Sequence, residues 1–238
     1  MYKLHRPLIL ASLLAFATPA LSAQDSRPAQ VAPATAKVET VELELKAEDG
    51  QRVPGWFRST PKLSAPELSL GGTLALRKST PAVVLLHMYR SDHTAWKSIL
   101  DDFEAAGIAT LAIDMRGHGS NTKGPKGEDL AKRSVDRDPV LFNEMWMDAL
   151  AAVTWLHDQG YVPGNIGLLG ASVGCSVAID AARRTDSLTK VAVMTPGVGY
   201  LGVDTVKQLE QWGRRDLLIL TSSEEAPGGP SPRYGCVR

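Results

Sequence analysis

The sequence predicts an α/β domain built on a mostly parallel, doubly wound sheet with helices on both faces. Three observations support this prediction. Continuous apolar runs of strand length are typical of parallel strands buried on both faces. Segments of helical length separate these runs, which indicates right-handed crossovers. The chain of 238 residues is also long enough to bury the core of one such domain. The runs cover residues 81–87, 108–114, 166–169, 190–194 and 216–221.

The first 37 residues are predicted to precede this domain. Lys3 and Arg6 come before an apolar run over residues 8–17, and small residues at 20–23 offer a cleavage site. Because the run is too short to span a bilayer, it is typical of a secretory signal peptide over residues 1–23; an uncleaved anchor is the alternative. Residues 24–37, rich in Ala and Pro, are expected to form a flexible leader. We therefore expect an exported protein, periplasmic or secreted, without a stable membrane anchor.

Composition and cysteine usage narrow the range of partners. The 26 basic and 26 acidic residues balance, so net charge gives no reason to expect nucleic acid or an anionic membrane as a partner. The sequence contains no CxxC motif, no His/Cys cluster with zinc spacing and no phosphate-binding loop, so neither a metal nor a cofactor is expected. The two cysteines, Cys175 and Cys236, could pair in an exported protein, but a buried, inert thiol is favoured at Cys175.

The folded domain is predicted over residues 38–225 and begins with a hairpin. Residues 38–45 alternate as in a half-buried strand, Asp49-Gly50 predicts a turn, and residues 53–57 form the return strand. Residues 59–80 contain several Ser, Pro and Gly and are expected to be a surface excursion.

Helices are predicted between the later strands, with a polar loop over about 120–140. The first helix begins with the apolar stripe of Trp96, Ile99, Leu100 and Phe103 and stops at Gly107. The second covers about 141–159. The third covers 204–212, with Asp204 as its cap. Since the connection over residues 195–203 is short, no large lid is expected after the strand 190–194.

The most informative motif is G-x-S-x-G over residues 170–174, between a predicted strand and a predicted helix. A serine on such a tight strand-to-helix turn has a strained backbone and a hydroxyl that projects clear of the sheet. Gly170 and Gly174 are expected where strand and helix crowd together, because a Cβ would clash there. The N-terminus of the helix would favour a developing oxyanion. An ordinary glycine-rich turn is the alternative interpretation.

Three sequence blocks, in this order, make the chain resemble the α/β-hydrolase superfamily, and within it the dienelactone-hydrolase-like esterases. The blocks are residues 83–89, the run Asp114-Met115-Arg116-Gly117-His118-Gly119-Ser120, and residues 170–174. The resemblance covers about residues 38–225. It implies an α/β-hydrolase fold without a large lid, and a serine esterase that cleaves a small-molecule ester without a cofactor.

The resemblance also implies roles for individual residues. Ser172 is the expected nucleophile, and the backbone N–H of Val173 is one expected oxyanion donor. The second donor is expected to be the N–H of Tyr89, with Met88 as the alternative; relatives usually carry Gly where this chain has Met88. The expected triad acid is Glu224, with Glu225 next, although a solvated acidic turn is an equally open interpretation of both.

The histidines are given lesser roles by the same resemblance. His87 and His118 are expected to shape loops beside the site, and neither is expected to act as the general base. His93 is expected at a surface or rim position, and His157 near a helix C-terminus, where its charge is favourable.

The pattern of the superfamily breaks after Glu225. Members carry the catalytic histidine after a last strand, whereas residues 226–238 contain no histidine and are rich in Pro and Gly. A disordered tail, a C-terminally incomplete domain and an exposed edge at the strand 216–221 are therefore expected. A truncation or frameshift of the coding sequence is our hypothesis for this break. The predicted function is an esterase impaired by the missing base; a catalytically inactive binding module on the same fold is the alternative.

Overall fold

The computed structural model describes residues 38–63, 69–213 and 215–221, and the backbone of residues 235–237. Its strands are β1 (Thr40–Lys46), β2 (Arg52–Arg58), β3 (Ala82–Leu86), β4 (Ala109–Ile113), β5 (Ile166–Ala171), β6 (Lys190–Met194), β7 (Gly199–Tyr200), β8 (Val203–Asp204), β9 (Asp216–Leu220) and β10 (Gly235–Val237). Its α-helices are α1 (Leu70–Ser79), α2 (Leu100–Ala105), α3 (Leu130–Val135), α4 (Pro139–Glu144), α5 (Trp146–Asp158), α6 (Val173–Arg183) and α7 (Thr205–Glu210). Short 3₁₀ turns cover His93–Trp96 and Pro163–Asn165.

The central sheet has the strand order β1-β2-β4-β3-β5-β6-β9-β10. The five central strands β4, β3, β5, β6 and β9 are mutually parallel, and β1, β2 and β10 pair antiparallel at the two edges. The short strands β7 and β8 form a separate antiparallel pair. The predicted mostly parallel sheet is therefore confirmed. The register aligns Leu86 with both Ile113 and Gly170, and Met194 with Leu220, so the loops that follow these strands gather at one edge.

Apolar residues cover both faces of this sheet, as the uninterrupted apolar runs predict. Val84 and Leu86 of β3 belong to the core beneath α5 and α6. Val83 and Leu85, which point to the opposite face, pack in a second core with Phe103 of α2. The prediction of helices on both faces is thus confirmed.

Three local elements differ from the sequence prediction. The expected excursion over 59–80 contains α1, whose N-cap Ser69 accepts a hydrogen bond from the backbone N–H of Gly72. The expected loop over 120–140 contains α3, and the helix expected over 141–159 is divided into α4 and α5 at Met145. Side-chain caps explain both additional helices, because Ser69 and Asp129 satisfy N–H groups that would otherwise lack partners.

The far edge of the sheet requires a correction. No strand was expected beyond residue 225, but β10 pairs antiparallel with β9, with Cys236 opposite Leu218. The expectations of an exposed edge at β9 and of disorder throughout 226–238 are therefore wrong for residues 235–237. The predicted signal peptide and leader over residues 1–37 lie outside the described residues. None of the described helices is long and apolar enough to cross a membrane.

Candidate active site

Ser172 occupies the turn between β5 and α6, at the edge where the strand ends gather. Its backbone has φ 52° and ψ −116°, a conformation that L-residues rarely adopt. Two hydrogen bonds hold this turn: the N–H of Ser172 donates to the carbonyl of Met194 over 3.0 Å, and its carbonyl accepts from the N–H of Cys175, also over 3.0 Å. The side chain is partly exposed. The strained turn expected from the sequence is present.

The two glycines of the motif lie where backbones touch. A Cβ on Gly170 would lie 2.1 Å from the carbonyl oxygen of Gly174. A Cβ on Gly174 would lie 2.2 Å from the carbonyl oxygen of Leu86 and 2.8 Å from that of His87. The predicted crowding between β5 and α6 is confirmed. The first turn of α6 also lies directly against the end of β3.

This contact brings the loop after β3 beside Ser172. Within the described residues, the backbone N–H groups of Met88, Tyr89 and Val173 donate to no acceptor. Met88 does not adopt a positive φ, so its position does not require the glycine found in relatives; the left-handed residue of this loop is Arg90, with φ 57°. The predicted oxyanion donors thus stand at one edge with uncommitted N–H groups.

The side chain of Tyr89 anchors this loop to α3. Its phenol donates to the carbonyl of Ser134 over 3.1 Å. Its ring packs edge-on against His118 and Phe142, with centroids 5.8 Å away in both cases. The sequence predicts a role only for the backbone of Tyr89, and no motif indicates this anchoring role of its side chain.

His87 and His118 shape the loops, as expected. His87 is fully buried; its Nδ1–H donates to the carbonyl of Met88 over 2.8 Å, and its Nε2 accepts from the N–H of Met115 over 3.1 Å. Burial lowers the pKa of His87 to about 4, so the ring is neutral at physiological pH. Burial also lowers the pKa of His118, whose ring nitrogens bond the carbonyl of Arg116 and the hydroxyl of Ser134.

His93 forms a pair with the fully buried Asp114. The backbone N–H and the Nδ1–H of His93 both donate to Oδ1 of Asp114, each over 2.9 Å. The N–H and hydroxyl of Ser120 donate to Oδ2. A quarter of the His93 side chain is exposed, and its ring stacks on Trp56 at 3.3 Å between centroids. The expected rim position fits, but the sequence did not reveal that Asp114 ties the loop after β3 to the loop after β4.

Arg116, buried in the same loop, was likewise given no role by the sequence. Its Nη2 and Nε atoms donate to Oδ1 of Asp148 on α5, and its backbone N–H donates to Oδ2 over 2.7 Å. Nη1 reaches Asp49 in the β1–β2 turn over 2.7 Å. A guanidinium group has several N–H donors and can bind two carboxylates at once. By binding Asp49 and Asp148, this one side chain joins the hairpin, the loop and α5.

The hydroxyl of Ser172 makes no hydrogen bond to any described residue. The rings of His87 and His118 bond other groups through both nitrogens, and His93 bonds Asp114 through Nδ1. His157 lies in the last turn of α5, as predicted, with Nδ1 4.0 Å from Asp158. The predicted acids Glu224 and Glu225 lie outside the described residues.

Cys175 is a free and buried thiol, as expected. Its Sγ–H donates to the carbonyls of Met194 and Gly170, and burial raises its pKa to about 12. The thiol is therefore a packing group rather than a second nucleophile. Over the described ranges, no group of three or more His, Cys, Asp or Glu side chains is arranged to hold a metal ion.

The sequence of this chain is similar to a protein family model and to known proteins. A family model described as serine aminopeptidase, S33, matches residues 77–218. Over 148 residues, the chain is 28% identical to a multifunctional-autoprocessing repeats-in-toxin of Vibrio vulnificus; the match covers 61% of this chain and 2% of the toxin.

Solved structures of similar fold include two esterases. A cold-adapted esterase from an Arctic intertidal metagenomic library is 22% identical, with a TM-score of 0.55, over 78% of this chain and 72% of the esterase. An esterase of Pyrococcus furiosus is 23% identical, with a TM-score of 0.48, over 74% of this chain and 60% of the esterase. At 22% identity, the likeness to the cold-adapted esterase shows the fold alone.

Proposed function

Because the chain belongs to the serine aminopeptidase S33 family of the α/β-hydrolase superfamily, we propose that it is an exported serine hydrolase that cleaves a carboxylic ester or related acyl bond of a small molecule through Ser172. The observation that carries this proposal is the strained turn that presents Ser172 at the carboxyl edge of the sheet. Backbone strain persists where the surrounding structure holds it, and it clusters at active sites.

The residues around Ser172 support a two-step acyl transfer. The Oγ of Ser172 attacks the ester carbonyl while its proton passes to a water molecule, and the carbonyl oxygen becomes an oxyanion. The N–H groups of Val173 and Tyr89 stabilise that oxyanion, with Met88 as the alternative donor. The alcohol then leaves with a proton, and water attacks the acyl-serine to release the acid and restore Ser172. Glu224 is the proposed triad acid, and Glu225 the alternative.

The chain is proposed to perform this reaction slowly. A serine hydroxyl is a weak nucleophile without an adjacent base. No described histidine is hydrogen-bonded to Ser172, and the rings of His87 and His118 bond other groups through both nitrogens. Loss of a triad base typically costs about 10⁴-fold or more in kcat, although the oxyanion donors retain some catalysis. An inactive binding protein on the same fold is the competing proposal.

Cleavage at a peptide N-terminus, which the name of the family model suggests, is a competing proposal. Within the superfamily, the dienelactone-hydrolase-like subtype stays a prediction, because the matched family model is of the S33 type.

Labelling with a fluorophosphonate probe tests the proposal directly. The purified chain, a Ser172→Ala variant and a Ser79→Ala variant are treated alike, and the modified peptide is located by mass spectrometry. Ser79 is an exposed serine on α1 and serves as the matched control. We expect slow labelling at Ser172 that Ser172→Ala abolishes and Ser79→Ala leaves unchanged, together with slow release of p-nitrophenol from p-nitrophenyl acetate.

The outcomes separate the alternatives. Prompt labelling at Ser172 would show that a base reaches this serine, and the proposed impairment would be wrong. A folded sample that is neither labelled nor active would favour the inactive binding protein.

A further inference from the structure

Asp114 carries a buried carboxylate at the end of β4. Its Oδ1 accepts hydrogen bonds from the backbone N–H and the Nδ1–H of His93, and its Oδ2 accepts them from the N–H and the hydroxyl of Ser120, over 2.7–3.0 Å. A buried carboxylate is costly unless hydrogen bonds satisfy it, and here four donors do so. The carboxylate therefore joins the end of the loop after β3 to the loop after β4.

The loop after β4 is shaped around this carboxylate. Gly119 has φ 53°, and a Cβ there would lie 2.1 Å from Oδ2 of Asp114. The main chain of Asp114 is fixed as well, because its N–H donates to the carbonyl of Pro54 in β2 and its carbonyl accepts from Nδ2 of Asn121, each over 3.0 Å. Asp114 is thus a firmly held point to which a neighbouring loop can be attached.

The loop after β3 is attached to this region at both of its ends. At the first end, Nε2 of His87 accepts from the N–H of Met115 over 3.1 Å. At the second end, His93 donates twice to Asp114. The ring of His93 also stacks on Trp56 of β2, with the ring planes only 10° from parallel. The two histidines therefore fix both ends of the segment that lies between them.

This segment, residues 88–92, carries the second of the proposed oxyanion donors. The N–H groups of Met88 and Tyr89 donate to no acceptor among the described residues. An oxyanion donor contributes most when its N–H is held in advance at about 3 Å from the developing charge. Release of His93 would free the second end of the segment and let this N–H group move away.

We propose that His93 and Asp114 are positioning residues for the second oxyanion donor. The hydrogen bond from Nδ1 of His93 to Asp114 keeps the loop after β3 in the conformation that stabilises the oxyanion, and neither side chain touches the substrate in this role. The inference rests on the proposed function, since it takes the oxyanion to form beside Ser172. Residue 93 must then supply a hydrogen-bond donor to Asp114, and an imidazole ring is not itself required.

Substitutions at His93 separate the hydrogen bond from the ring. His93→Leu removes the donor, whereas His93→Asn retains one, because in both His and Asn the donating nitrogen is bonded to Cγ. The matched control is Arg58→Gln, which removes a buried guanidinium that binds Asp101 over 3.0 Å. Arg58 lies on β2 opposite Thr110, toward the edge of the sheet away from Ser172.

The rate constant and the KI for fluorophosphonate labelling of Ser172 are measured separately. We expect His93→Leu to lower the rate constant about tenfold without changing KI, and His93→Asn to recover most of this loss. Arg58→Gln is expected to unfold at a lower urea concentration but to be labelled at the unchanged rate. Equal loss of rate in His93→Leu and Arg58→Gln would reduce the effect to general loosening and overturn the inference. Equal loss in His93→Leu and His93→Asn would overturn it as well.

NMR relaxation of the backbone N–H of Tyr89 tests the positioning without any chemistry. We expect this N–H to be rigid on the picosecond-to-nanosecond timescale in the unsubstituted chain, mobile in His93→Leu and rigid again in His93→Asn. This pattern in a chain that fluorophosphonate does not label would contradict the proposed function and leave His93 and Asp114 as the support of the loop. An unchanged order parameter and chemical shift of this N–H in all three chains would show that the hydrogen bond does not position it, and the inference would be wrong.

Discussion

The Cβ position of Gly174 lies 2.2 Å from the carbonyl oxygen of Leu86. The first turn of α6 therefore touches the end of β3 without an intervening side chain. Because Ser172 precedes this turn and Met88 follows this strand by two residues, one close backbone contact sets the nucleophile beside the loop of the proposed oxyanion donors.

Gly174→Ala is expected to lower the free energy of unfolding by about 3 kcal/mol or more, because backbone atoms on both sides must move. Gly199→Ala is the matched control, since a Cβ there meets nothing within 4 Å. Thermal and urea unfolding measure both changes. Equal effects of the two substitutions on the free energy of unfolding would show that a Cβ at residue 174 fits without movement of the backbone.

Ser172→Gly is expected to stabilise the chain while abolishing its labelling by fluorophosphonate. The φ of 52° at Ser172 costs a residue with a Cβ about 1–3 kcal/mol, and glycine adopts it without strain. After the larger entropy of glycine in the unfolded chain is subtracted, about 1 kcal/mol of stabilisation is expected relative to Ser172→Ala, which keeps the Cβ. If the two variants unfold at the same urea concentration, the turn is not strained.

The sequence predicts the sheet and the serine turn well because both depend on local patterns. The apolar runs identify the parallel strands, and G-x-S-x-G identifies the turn at Ser172. It misses the helices α1 and α3, since each of them depends on a single capping side chain, Ser69 or Asp129.

Contacts between loops distant in the chain could not be predicted. The fork of Arg116 on Asp49 and Asp148, and the pair of His93 with Asp114, join residues 21 to 67 positions apart. The periodic spacing of apolar residues in the sequence does not indicate which distant side chains will form hydrogen bonds. β10 was missed for a related reason: three residues after a Pro/Gly-rich run carry too little pattern, and their strand forms only by pairing with β9.

Tyr89→Phe is expected to slow the labelling of Ser172 about tenfold without weakening binding of the probe. The substitution removes the phenol that donates to the carbonyl of Ser134, so the proposed oxyanion donor at the backbone of Tyr89 becomes less well positioned. The loss of this hydrogen bond also lowers the free energy of unfolding by about 1 kcal/mol. The labelling rate constant and the probe's KI are measured separately.

A remote variant of similar stability distinguishes positioning from general loosening. Ser69→Ala removes the N-cap of α1 and costs about 1 kcal/mol. If Ser69→Ala slows labelling as much as Tyr89→Phe does, the phenol has no positioning role.

The pH dependence of stability is expected to include a contribution from His87. Its pKa is about 4 in the folded chain and about 6.5 when unfolded, so only the unfolded chain binds this proton between those values. The neutral ring therefore stabilises the fold fully above about pH 6.5, and this stabilisation is lost as pH falls toward 4, at about 1.4 kcal/mol per pH unit. The lowered pKa of His118 adds a contribution of the same sign.

NMR titration of the His87 ring isolates this contribution from those of the carboxylates. In the folded chain the ring resonances are expected to stay constant from pH 8 to pH 5, because Nδ1–H donates to Met88 and Nε2 accepts from Met115 only in the neutral form. The same chain in urea provides the control and should titrate near its ordinary pKa. A folded ring that titrates near pH 6.5 would mean that Nε2 is protonated, and the hydrogen bond from Met115, which connects the loops after β3 and β4, would then be absent.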